Sequence, residues 1–136
     1  MSILSIENEI ISKLQSNITD LKIEGFPEKP EEYQLLHPKG AILVSYTGSV
    51  FSEPDGFIDV AQVDTMEFAL LLLIRGLRDK NGAYNYIDSI KNILTGFQPT
   101  GCKKMYPTDI GFLKEENSVW YYTIGFKTSS ENVDYD

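Results

Sequence analysis

Histidine and cysteine are almost missing from this sequence, with one of each, His37 and Cys102, in 136 residues. A catalytic triad or a histidine-based metal centre needs several converging partners, and no Cys-x-x-Cys or His-x-x-x-His pair is present to supply them. His37, in a proline-containing stretch, is therefore expected to be an ordinary surface residue. A lone cysteine closes no internal disulfide, which suits a reducing compartment. Lys103 and Lys104 beside it would favour a thiolate, but without a paired base Cys102 is expected to act as a small, inert hydrophobe.

Long apolar runs are also lacking. The longest, Phe68 to Ile74, falls far short of the ~18 residues needed to span a bilayer. The N-terminus shows no basic stretch followed by an apolar segment and a small-residue cleavage site, so cytoplasmic synthesis is expected. The glycines are scattered and match neither G-x-x-x-x-G-K-[ST] nor G-x-G-x-x-G, which leaves nucleotide binding without support. The adjacent carboxylates Glu31-Glu32 and Glu115-Glu116 diverge within each pair and read as solvated charges rather than as an acid/base couple. No catalytic, cofactor-binding or metal-binding residue is nominated, and no enzymatic activity or cofactor is expected.

Positive charge is scarce: 12 lysines and arginines face 20 acidic residues, for a net charge of −8. Such a chain repels nucleic acid at long range. Its aromatic residues therefore lack the basic groove of a base-stacking platform, and belong first to a core and second, as for Tyr121, to an interface.

What is present is a foldable single domain. A composition of 42% hydrophobic and 24% charged residues over this length supports one core. From Ser5 to Ile18, Ile6, Ile10, Leu14 and Ile18 recur every fourth residue and predict an amphipathic helix with Ser5 as N-cap and Glu7 and Glu9 near the positive end of its dipole. Leu21 and Ile23 alternate with charged residues as a short strand. Residues 27–40, with Pro27, Pro30, Pro38 and Gly40, read as a surface loop. Ala41 to Tyr46 reads as a buried strand ended by Thr47-Gly48-Ser49, and residues 47–65 as a long excursion with turn chemistry at Pro54 and Asp55-Gly56 that is compatible with a hairpin. Met66 to Arg75 alternates like a strand covered on both sides, although a buried helix fits its leucines as well. Asn81 to Thr95 predicts a second amphipathic helix, with Ala83, Ile87, Ile90 and Leu94 on one face and Gly96 after its end. Pro99 to Pro107 is a turn-rich connector with room for a short strand, Ile110 to Lys114 another short strand, and Val119 to Phe126 the clearest strand of all. Residues 127–136 read as an acidic tail that frays unless a neighbouring subunit holds it. The order points to an α+β domain over residues 1–136, with an antiparallel or mixed sheet and both helices on one face.

Three segments resemble a known family as a set: "AILVSYTGSVF" (41–51), "FALLLLIRGLRDKNGAYNYIDSIKNILTGFQPTG" (68–101) and "GFLKEENSVWYYTIGFKTSS" (111–130). The most specific parts are Arg75-Gly76-Leu77-Arg78, the Gly82-Ala83-Tyr84 helix ending in Leu94-Thr95-Gly96-Phe97, and Glu116-Asn117-x-x-Trp120 at the start of the last strand. They resemble the Mu-like phage tail family that includes the tail terminator, or tail completion, protein; residues 1–40 match only in kind. The resemblance implies a small α+β subunit that forms a homo-oligomeric ring, commonly a hexamer, at the end of a contractile tail. It also implies contacts with tail tube, sheath and head-tail connector proteins, a place in the virion tail, and DNA only in passage; phages and contractile injection systems share such parts. Acidic residues lining the ring's channel would let DNA pass without sticking. The competing readings are a small acidic immunity-type protein that neutralises a basic partner, and, behind it, a small enzyme.

Overall fold

The first helix begins earlier than its apolar spacing predicts. In the computed structural model, which describes residues 2–54, 56 and 61–132, helix α1 spans Ile3–Asn17 and is capped by Ser2. Ser5 N donates to Ser2 Oγ at 3.0 Å while Ser2 N donates to Ser5 Oγ at 2.9 Å. This reciprocal pair satisfies two helix-end donors and makes Ser5 the third helical residue rather than the cap. The first turn therefore holds no acidic residue. Glu9 instead ties α1 to the far connector, accepting from Thr100 N at 3.1 Å and Thr100 Oγ1 at 2.9 Å.

Five strands form one mixed sheet: β1 (Lys22–Gly25), β2 (Gly40–Phe51), β3 (Gln62–Arg75), β4 (Tyr106–Glu116) and β5 (Val119–Asn132), in the order β1-β2-β3-β5-β4. Only the β1/β2 pair is parallel. Helix α2 (Ala83–Leu94) connects β3 to β4. Because β5 is antiparallel to both, β3 and β4 run the same way with β5 inserted between them.

The Leu-rich run that sequence left open between strand and helix is strand β3, and the two covers of the sheet explain why both of its faces are apolar. On one face Leu70, Leu72 and Ile74 pack with Ile6, Ile10 and Leu14 of α1 and Ile87, Ile90 and Leu94 of α2, in one core that includes Phe68 and Phe126. Both helices thus lie on the same side, as expected. On the other face Leu43, Leu73 and Val119 form a smaller cluster with Leu71 and Tyr121, covered by Tyr33 and Leu35.

Those last two residues change the reading of the 27–40 stretch. It is a strap, with a 3₁₀ turn at Pro30–Glu32, that carries the chain from β1 to β2 across the second face. Arg75 grips it: Nη2 donates to Leu35 O at 3.0 Å and Nε to His37 O at 3.3 Å. His37 Nδ1 accepts from Lys39 N and Gly40 N at 3.1 and 3.3 Å, so the ring shapes the turn into β2.

Strands are longer than their local patterns predict. β2 does not stop at Thr47 but bulges between Tyr46 and Gly48 and continues to Phe51. Residues 47–65 thus begin and end as the two arms of a hairpin, with Phe51 opposite Asp64; Asp55 and residues 57–60 lie outside the described residues. β4 starts at Tyr106, well before Ile110. Residues 127–132, assigned to a fraying tail from sequence, extend β5, where Thr128 is fully buried with its Oγ1 donating to Lys103 O at 2.7 Å. Cross-strand pairing with β3 from Gln62 to Arg75 overrides the polar composition there; residues 133–136 lie outside the described residues.

A polar contact at the base of the helices yields a testable pH dependence. Tyr86 OH donates to Asp20 Oδ2 at 2.6 Å, and Lys39 Nζ lies 3.4 Å from the same oxygen. The tyrosine hydrogen bond, aided by Lys39, holds the Asp20 carboxyl below its usual 3.8. Burial, then the same bond, pushes Tyr86 far above its usual 10.0. Tyr86→Phe should cost about 1 kcal/mol, at the low end for a bond to a charged acceptor because Asp20 is partly solvated. A lowered acid contributes above its unfolded pKa and loses that contribution as pH falls through the folded value; a raised phenol contributes below its unfolded pKa and loses it as pH rises. The gap between wild type and Tyr86→Phe in urea melts should therefore be flat from about pH 4 to 10 and shrink on both sides; a gap that grows at either extreme would contradict the assignment.

Candidate functional site

The two edges of the sheet are built differently. β1 is four residues long, and its outward carbonyl at Ile23 accepts from Gln15 Nε2 of α1 at 2.9 Å. β4 is an eleven-residue edge whose residues are exposed, Gly111 alone being half-buried. Its register breaks twice, between Pro107 and Asp109 and between Phe112 and Lys114. Bulges, a proline and charges at Lys114, Glu115 and Glu116 are devices that discourage strand addition, so the notable property of β4 is its side chains.

On the helix side, β4 lies beyond the reach of α2, which packs on β3 and β5. Ile110 and Phe112 are left 40% and 56% exposed there. Phe112 stacks against Trp120 at 6.0 Å and edge-on against Tyr122 at 5.6 Å, both half-buried on β5. Tyr84, on the first turn of α2, completes the face from the other side, with the Arg78 guanidinium 5.9 Å from its ring. Burial first, and then the Tyr84 hydroxyl, raise the Tyr122 pKa. The result is an aromatic patch where α2 meets the β4 edge, with Tyr84, Phe112 and Ile110 exposed.

A second apolar exposure lies at the opposite end of the sheet. Val50 and Phe51, near the end of the β2 arm, are 71% and 51% exposed. Glu53 follows on the same arm, and Glu67 returns along β3, where its carboxylate accepts from Thr47 Oγ1 at 2.9 Å.

The residues weighed from sequence do not converge. Glu31 and Glu32 sit in the strap's 3₁₀ turn. Glu115 accepts from Ser118 N at 2.8 Å, closing the β4/β5 hairpin, and Glu116 pairs with Lys114 at 3.2 Å. Cys102 is buried, and that burial raises its thiol pKa, against the lowering its lysine neighbours would favour. Tyr121 faces the strap, with Lys114 Nζ 4.6 Å from its ring. Beside it, under the strap, is a recess of about 180 Å³ lined by Phe26, Tyr33, Leu71, Leu73 and Lys114. Among the described residues no group of three His, Cys, Asp or Glu side chains is placed to hold a metal, and no helix is long and apolar enough to cross a membrane. The aromatic patch was missed in sequence because the Ile110 to Lys114 segment reads as an ordinary strand; only its position at an uncovered edge makes Phe112 a surface residue.

These features define a single-domain α+β protein that exposes apolar side chains along β4 and near the end of β2, as well as Leu36 of the strap and Leu4 of α1. A family model described as Gp37 protein matches residues 10–136, and the chain belongs to that phage-related family. The match takes in the second half of α1 and the strap as well as the segments from Ala41 onward. No curated protein matches the chain.

Proposed function

We propose that this protein is a non-enzymatic structural component of a contractile phage tail. In this reading copies form a ring at the end of the tail tube, stop its growth and present the surface that joins the head. The observation that carries the reading is the presence of two separate sites of exposed apolar side chains, the aromatic α2/β4 patch and Val50 and Phe51 on the β2 arm, on a chain of a phage-related family. A ring closed by rotation needs two different, complementary patches per subunit, and a protein that worked alone would have little reason to leave either one bare. The net charge of −8 suits a channel through which DNA passes.

Native mass measurement of the purified protein, alone and with tail tube protein, tests this. A closed oligomer or a tube-bound species is expected in the second sample. A protein that stays monomeric, ignores the tube and instead neutralises a basic toxin would establish the immunity-type reading in its place.

A further inference from the structure

The two faces of the sheet are covered on different terms. Under the helices, Ile6, Ile10 and Leu14 of α1 and Ile90 and Leu94 of α2 are themselves at most 1% exposed. On the other face Leu43, Leu73 and Val119 are buried too, yet no residue of the 26–39 strap that hides them is itself buried. Tyr33 and Leu35, which do the covering, are half-buried, and Leu36 between them and the turn into β2 is 83% exposed. A recess of about 180 Å³ remains between strap and sheet, so the two surfaces are not in full contact there. We propose that the strap is a hinged cover, caught by Arg75, that lifts as a unit while the sheet and helices stay folded. This rests on the fold alone and holds whether or not the protein assembles into a ring.

Backbone hydrogen bonding is the first support. Phe26 N donates to Val44 O at 2.8 Å at one end of the strap, and Arg75 N donates to Lys39 O at 3.1 Å at the other. Between those points the strap's backbone bonds stay within it, from Glu32 N to Lys29 O at 3.0 Å and from Tyr33 N to Pro30 O at 3.1 Å. Beneath it the strands are joined directly to one another, with Leu43 opposite Leu71 and Leu71 opposite Thr123. Lifting the strap therefore breaks no rung of the sheet.

The catch is the second support. Arg75 is exposed, and its bonds to the Leu35 and His37 carbonyls are, among the described residues, the only hydrogen bonds that a side chain of the sheet makes to the strap. A bond from a charged donor shifts an equilibrium by about tenfold or more, so one guanidinium holds a large share of the closed state. Segments with few buried apolar contacts open at a lower free energy than the fold as a whole. The strap has that character and the helices do not.

Thiol labelling measures the opening. With Cys102→Ala removing the native thiol, Leu73→Cys places a reactive group beneath the strap, and Leu72→Cys, as a control, places one beneath the helices. The Leu73→Cys protein should react with a neutral thiol reagent at least about a hundredfold faster than the control, because local opening precedes global unfolding. Its rate should also change little in dilute urea, since opening exposes little surface, whereas the control rate should climb steeply. Adding Arg75→Gln should speed labelling at position 73 by about tenfold or more and keep the urea dependence shallow. Arg75→Lys, which keeps the charge and loses the fork, should fall between the two. If Leu73→Cys does not fold, Leu43→Cys reports on the same face. Equal rates with equally steep urea dependence on the two faces overturn the cover; labelling at position 73 that ignores Arg75→Gln overturns the catch.

Discussion

Phe68→Ala is expected to lower the unfolding free energy by about 3–5 kcal/mol, the range for emptying a large aromatic site in a core that cannot collapse around the void. Phe68 is fully buried at the middle of β3, opposite Phe126 on one side and Tyr46 on the other. Its ring meets that of Tyr46 edge-on at 5.6 Å, so the truncation also removes an aromatic pair. Against a total stability of about 5–15 kcal/mol the variant would be marginal at 37 °C. Urea midpoints at constant slope measure the loss, and a cost below about 1.5 kcal/mol would show that the sheet's centre repacks more freely than its burial implies.

Gly40→Ala and Gly48→Ala should separate two effects that usually occur together. Both glycines lie on β2 with nearly the same positive φ, +156° and +155°. A Cβ on Gly40 would collide with the Leu73 carbonyl oxygen and the Ile74 side chain, while one on Gly48, beside the bulge, would meet nothing within 4 Å. Gly48→Ala therefore carries conformational strain alone, about 1–2 kcal/mol. Gly40→Ala adds a clash with main chain that can be relieved only by moving β2 off β3, for a total of about 3 kcal/mol or more. Equal losses in the two variants would show that strain dominates and that strand spacing adapts.

Much of the architecture was legible in the residues. Ile6, Ile10 and Leu14, and Ile87, Ile90 and Leu94, announce two helices because a helix has only one buried stripe to fill. The Trp120 to Phe126 alternation announces β5 for the matching reason in a sheet. What was not legible depends on partners distant in sequence. Nothing local to Thr128 or Ser130 marks them as buried; they are strand because β3 continues beside them. Nothing in the proline-containing 27–40 stretch announces a strap, since its role depends on Arg75 holding the carbonyls of Leu35 and His37. The aromatic patch on β4 was hidden for the converse reason, because Phe112 and Ile110 have core composition and an edge address.

The amide of Gln15 seated on the Ile23 carbonyl has a consequence for solubility. A sheet with one blind margin cannot template an endless run of copies: even if two β4 strands were forced together at high concentration, each partner would present only its β1 side outward and growth would stop at a pair. Crowded preparations of this protein should therefore lose material to small discrete species, not to fibres that bind amyloid dyes.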